Sequence, residues 1–224
     1  MAEVTESILE ALGHPERPAL YAAPGPSRGS VETVGEDGHR DRRDDALVLD
    51  DGTRVRVRAV NPGDAQALQR LHARCSGRSI ELRFFGPLGE LPDKKAARLS
   101  RAEGADRLAL AALDPDGGEE IAAVVRFERE AGGEAAEYAA LVEDRWQGRG
   151  LGRALTERLV GAARGRGVRC LYALVTPGNE RMVRLLRGLG LPTRRCREGG
   201  AERLEVDLRG TEGVDGSSDD RLSR

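Results

Sequence analysis

Gln147-Gly148-Arg149-Gly150-Leu151-Gly152 sets three glycines at alternate positions, with the cations Arg149 and Arg153 beside them, at the start of an apolar helical period. The first turn of a helix leaves backbone N–H groups unpaired and carries partial positive charge, which suits a bound phosphate. Glycine lets an anion approach the backbone closely. The chemistry on offer is anion binding, although a glycine-rich helix start alone also serves purely structural ends. Spacing removes two familiar phosphate loops. A P-loop needs Lys-Ser or Lys-Thr after its last glycine, where Arg153-Ala154 stands. A dinucleotide fingerprint needs a small residue three positions after Gly150, again Arg153, and an acid further on that is missing.

Glu137 is the second residue with chemical potential. It lies in Ala135–Val142, the least charged stretch near the loop. An acid there is partly desolvated, which raises its pKa and makes it a competent base near neutrality. Read from the residues alone, it is equally an acid that begins a strand at a solvent edge. Glu143 and Asp144 follow the strand and read as ordinary surface charge. Trp146 either lines an entrance to the loop or packs beneath it. Arg83, Phe84 and Phe85 are candidates for an acceptor groove, but aromatics are only 3% of the chain, which favours a core role for both Phe.

The elements that must position these residues follow from periodicity. Val55 and Val57 alternate with Arg54, Arg56 and Arg58, so Thr53–Val60 reads as a strand with one wet face. Asn61-Pro62 ends it, and Asp64 opens a helix with Ala67, Leu68 and Leu71 on one stripe, up to about Cys75. Ser79–Phe85 and Pro92–Ala102 suggest two further helices. Arg107–Leu113, Ile121–Glu128 and Glu137–Val142 read as strands; Asp114-Pro115-Asp116-Gly117-Gly118 and Gly132-Gly133 between them mark turns, giving an antiparallel meander. Helix Gly150–Arg166, strand Cys170–Val175, helix Asn179–Leu189 and a final strand with Val206 and Leu208 complete a mixed α+β sheet.

The 224 residues accommodate one globular domain with flanks, or two small ones. Residues 1–45 and 210–224 lack a sustained apolar period and are expected to be a disordered leader and a flexible tail, leaving 46–209 as the domain. A net charge of −2 gives no bulk reason to expect nucleic acid or an anionic membrane. No apolar run approaches a membrane span and no signal-peptide core is present, so a cytoplasmic location is the default. Cys75, Cys170 and Cys196 are widely separated, as are His14, His39 and His72, which argues against a metal site and for buried, reduced thiols.

The loop fits the Gln/Arg-x-x-Gly-x-Gly/Ala pattern, and the block Asn179-Glu180-Arg181-Met182 through Gly190-Leu191 looks like an Asn-led helix closed by a Gly-Phe-like pair. Together they resemble the GNAT N-acetyltransferases. Gly52-Thr53-Arg54-Val55, Ser79–Phe85 and Leu88–Leu91 further resemble the acetyltransferase domain of bacterial Pat-type protein lysine acetyltransferases, over roughly 46–209. The resemblance implies a GNAT fold, a mixed, mostly antiparallel sheet of about six or seven strands with helices on both faces. It implies acetyl-CoA as co-substrate, with no metal. Ala140, Leu141 and Val142 would offer backbone groups to the pantetheine arm, and a strand N–H near Leu141 would steady the oxyanion. Gln147, Gly148, Arg149, Gly150, Leu151, Gly152 and Arg153 would hold the pyrophosphate, with Asn179 opposite. Glu137 would be the general base. The acceptor implied is a protein lysine; a small amine, or a non-catalytic acyl-CoA sensor, are the alternatives. One departure stands out: the tyrosine that many of these enzymes use to protonate the leaving thiolate corresponds to Leu186.

Overall fold

Alternation of side chains along the central strands builds one sheet with both faces covered. The computed structural model describes residues 46–102, 104–129, 132–198 and 200–209; the expectations for the leader (1–45) and the tail (210–224) fall outside them. The strands are β1 (Ala46–Val48), β2 (Arg54–Ala59), β3 (Arg107–Leu113), β4 (Ile121–Arg129), β5 (Ala135–Val142), β6 (Cys170–Val175), β7 (Thr193–Glu198) and β8 (Ala201–Asp207). The helices are α1 (Ala65–Arg74), α2 (Gly77–Phe84), α3 (Asp93–Ser100), α4 (Leu151–Gly165) and α5 (Glu180–Arg187). The strands lie in the order β1-β2-β3-β4-β5-β6-β8-β7. The expected meander is β3-β4-β5, and the parallel pair is β5 with β6.

In β3, Leu108, Leu110 and Ala112 join one core, while Ala109, Ala111 and Leu113 join the other. That is the period-two consequence of a strand covered on both sides. Leu151, Leu155, Leu159 and Ala163 of α4, with Val183 and Leu186 of α5, complete the first core. Ala67, Leu68 and Leu71 of α1 and Ala96 of α3 complete the second. Asn61 and Asp64 form a capping box at the turn into α1, and Arg58 forks onto Asp64 at 2.7 and 2.8 Å.

Two strands escape the periodicity. β1 has only three residues, and β7 reads Thr193-Arg194-Arg195-Cys196-Arg197-Glu198, with no apolar alternation because it is an edge strand. Charged edges resist pairing with other chains, which erases the usual strand signal. They bring the sheet to eight strands among the described residues, against the six or seven expected. The cysteines are reduced but only half-buried, not sequestered in the core.

Candidate active site

Pairing between β5 and β6 covers only Ala135–Glu137. Beyond that rung the two strands separate, and a cleft of about 670 Å³ opens between the free edge of β5, the start of α4, α5 and α2. Register with β4 decides what this edge presents. Ala123 faces Val142 and Glu143 N–H donates to Ala122 O at 2.9 Å, so the odd-numbered residues of β5 turn their peptide groups toward β4. The even-numbered Ala140 and Val142 turn theirs to the open edge. Leu141 lines the cleft, but its N–H points to β4; the strand N–H groups near it that face the open edge are those of Ala140 and Val142.

The cradle forms where α4 begins. Gly148 and Gly150 take left-handed backbone (φ +77° and +83°), and no side chain caps the helix, so its first amides face the cleft without an intrahelical acceptor. A Cβ on Gly152 would stand 3.2 Å from Leu185 and 3.4 Å from Val142, so glycine is what lets α4 approach both walls. Arg153 lines the cleft and pairs with Glu157 at 2.9 Å. Two expected phosphate ligands serve otherwise. Arg149 points back toward the turn between β1 and β2, where it pairs with Asp51 at 2.6 Å and lies 4.3 Å over the Trp146 ring. Hydrogen bonds from Thr53 and then Arg149 hold the Asp51 carboxyl well below the usual range. Leu151 is fully buried in the first core, so only its backbone can contribute. Trp146 is buried in the first core beneath Arg149 and also lines the cleft.

Gln147 ties three elements together. Its Nε2 donates to Val142 O at 2.8 Å and to Ser79 Oγ at 3.0 Å, and its Oε1 accepts from Arg181. Asn179 is buried, caps α5 by accepting from Met182 N–H at 3.2 Å, and lines the cleft. Arg181, Met182, Arg184 and Leu185 line it too. Sequence reasoning missed these four; the signal was the face that α5 shares with Asn179. Leu186 packs in the first core, so the tyrosine-equivalent position does not reach the cleft.

Glu137 sits on the last rung shared with β6, facing Tyr172 across it and Glu128 across β4. It lines the cleft in mid-sheet, not at a solvent edge. Burial raises its pKa and Glu128 raises it further, while Arg83, Arg126 and Arg203 pull it back. The net direction is upward, as a base working near neutrality requires. Arg83 is itself desolvated and its pKa is lowered, partly restored by Glu137. Burial and Arg83 together bring Arg126 down to about 10.

The two neighbouring phenylalanines part company. Phe84 packs against the second core with His72, ring centroids 5.8 Å apart. Phe85 ends α2 in left-handed backbone (φ +62°) and lines the cleft, so the core role expected for both holds only for Phe84. Left-handed backbone costs a residue with a Cβ roughly 1–2 kcal/mol. Glu143, expected at the surface, is buried between Arg74 (3.0 Å) and Arg145 (2.6 Å). Asp144 accepts from Ser76 N–H and Ser76 Oγ at 2.8 Å and from Ser79 Oγ at 2.9 Å. Among the described residues no cluster of metal-ligating side chains occurs, and no helix is long and apolar enough to cross a membrane.

Residues 77–191 match the model of the acetyltransferase (GNAT) family. The GNAT domain of S. lividans PAT is similar at 38% identity, over 72% of this chain and 95% of that one, with a TM-score of 0.67. A cAMP-binding acyltransferase from Mycobacterium smegmatis is 26% identical, with a TM-score of 0.53; the match covers 76% of this chain and 48% of that one. A phosphinothricin acetyltransferase from Sinorhizobium meliloti in complex with AcCoA shares the fold at 19% identity, covering 76% of this chain and 98% of that one, with a TM-score of 0.55.

Proposed function

The chain belongs to the GNAT acetyltransferase family, and from that premise we propose that it moves an acetyl group from acetyl-CoA to the side-chain amine of a protein lysine, with Glu137 as general base. Acyl-CoA-dependent acetyl transfer is the family's chemistry. The acceptor and the base are the proposal. The observation that carries it is the position of Glu137: a carboxylate of raised pKa on the wall of the cleft that also holds the anion cradle.

The residues present fit the co-substrate. Ala140 and Val142 offer open-edge peptide groups to an amide-bearing arm, although the Val142 carbonyl is taken by Gln147. The first amides of α4, with Arg153, offer the cradle for a pyrophosphate. An acetyl thioester supplies the electrophilic carbonyl carbon. Glu137 takes the proton of the acceptor ammonium, directly or through water. The freed nitrogen lone pair forms the C–N bond, the C–S bond breaks with its electron pair leaving on sulfur, and the nitrogen gives up its second proton to water to become the neutral amide. A thiolate of pKa about 8–9 leaves readily, so water can return its proton without a group at Leu186. The outward amide of Ala140 or Val142 is the donor available to the developing oxyanion.

Replacing Glu137 by Gln keeps size and removes the base. Acetyl-CoA affinity should stay near wild type while turnover on lysine-bearing protein falls by a factor on the order of 10²–10⁴. Calorimetric titration with acetyl-CoA and a coenzyme A release assay measure the two. Undiminished turnover would dismiss Glu137 as the base. Turnover on small amines with none on proteins or peptides would dismiss the lysine acceptor. The absence of acidic side chains other than Glu81 and Glu90 across 79–91, against Arg78 and Arg83, disfavours a pocket built for small polycations.

A further inference from the structure

Phe85 is the one non-glycine residue with positive φ among the described residues. Glycine is the usual occupant of a left-handed helix end, and a glycine stands immediately after it, at 86. Packing does not account for Phe85: it joins neither core, whereas Phe84 beside it packs against the second core and Ile80 of the same helix is buried. The strained backbone sets Phe85 on the wall of the cleft that Glu137 also lines, where Leu82, Ala139 and Leu174 supply further apolar surface. Ala139, Tyr172 and Leu174 share the Glu137 face of the sheet by register. The cleft that leads to Glu137 therefore carries apolar wall from the end of α2, from β5 and from β6, beside the guanidinium groups of Arg83, Arg126 and Arg203 that face the carboxyl.

We propose that Phe85 is the residue that selects the acceptor, reading the length of an unbranched methylene stem that delivers the amine to Glu137. This rests on the amine-acceptor reading above and deepens it. The chemical class it fits is a primary amine on an apolar stem of about four carbons, as in lysine. Amines on short stems leave the apolar wall uncovered and fall short of the base. One methylene against a complementary apolar wall is worth about 10- to 200-fold in selectivity.

Phe85→Gly tests this without threatening the fold, because glycine adopts the left-handed backbone freely. Peptides identical except for lysine, ornithine or diaminobutyrate at the acceptor position should be compared, together with a series of alkyl amines of increasing length. The wild-type enzyme should favour the lysine peptide over ornithine by about tenfold or more. Phe85→Gly should lose most of that preference and about tenfold in kcat/KM for lysine, keep its acetyl-CoA Kd, and melt no lower than wild type. Phe85→Leu should regain part of the preference. Preference and kcat/KM unchanged in Phe85→Gly would overturn the inference, as would equal losses for all stem lengths. Chain-length selection that depends on Phe85 among alkyl amines, with no peptide acetylated, would uphold Phe85 and remove the protein acceptor instead. Absence of turnover on every amine would remove both.

Discussion

At the residue scale the site is a balance of charges around one carboxyl. Glu137 faces Glu128 and Arg126 from β4, Arg83 from α2 and Arg203 from β8, with Tyr172 beside it on β6. Burial and Glu128 favour the neutral acid; the three guanidinium groups favour the carboxylate. With Glu137 as the proposed base, acetyl transfer needs the ionised form, so kcat/KM should rise with pH through the Glu137 pKa. Arg83 is the strongest of the opposing charges, and its own pKa falls through burial. Replacing Arg83 by Gln removes a charge that lowers the Glu137 pKa, so that pKa climbs further. The acid limb of the kcat/KM profile should move to higher pH, with the plateau reached later. A limb that stays in place, or moves to lower pH, would show that Arg83 does not set the base.

At the element scale, α2 links the turn after β5 to the proposed acceptor wall of the cleft. Its N-terminal end is tied to the turn after β5 by three hydrogen bonds to Asp144, and Ser79 passes the link to Gln147. Its C-terminal end bears Arg83 and Phe85 on the cleft. Burial opposes ionisation of Asp144, but the Ser76 and Ser79 donors outweigh it and hold the carboxyl below the usual range. Asp144→Asn should weaken this tie by about 1 kcal/mol, accelerating amide exchange across 77–84 by roughly fivefold. Exchange in α1 should not change. The wild-type tie is complete above the ordinary carboxylate pKa and is lost only as pH falls through the depressed one, so its α2 should loosen only in acid. Equal exchange in both proteins at neutral pH would contradict the tie. None of this was legible in the sequence, where Asp144 and Glu143 looked like surface charge, because partners at separations such as Ser76 to Asp144 leave no periodic mark. The elements themselves were legible: β3 and β6 fall where the apolar runs place them, and the cradle where glycines meet a helical period. The reversal at Phe85 and the aim of Arg149 were not, since a composition argument cannot say which way a helix end turns.

At the scale of the molecule, one sheet separates two cores, and the reaction is assembled from both. The start of α4 and α5 stand on the first core, whereas α1, α3 and, through Phe84, the proposed acceptor-wall helix α2 stand on the second. Strands β3 and β4 contribute side chains to each, so neither core can lose its sheet without unmaking the other. The described domain should therefore unfold as one unit. Leu71→Ala cuts into the second core, on the face away from the cradle, and should cost about 2–5 kcal/mol. Acetyl-CoA at a hundred times its Kd stabilises a single cooperative unit by about 2.7 kcal/mol wherever the mutation lies. Urea titrations should then show the same ligand stabilisation for wild type and Leu71→Ala. Fluorescence of Trp146, the single tryptophan, reports the first core, while far-UV circular dichroism reports the whole; their midpoints should coincide. If the second core melts on its own, Leu71→Ala will show an early dichroism transition that acetyl-CoA does not move, ahead of the tryptophan signal. The acceptor wall would then be a separately folding part, able to loosen while the co-substrate stays bound.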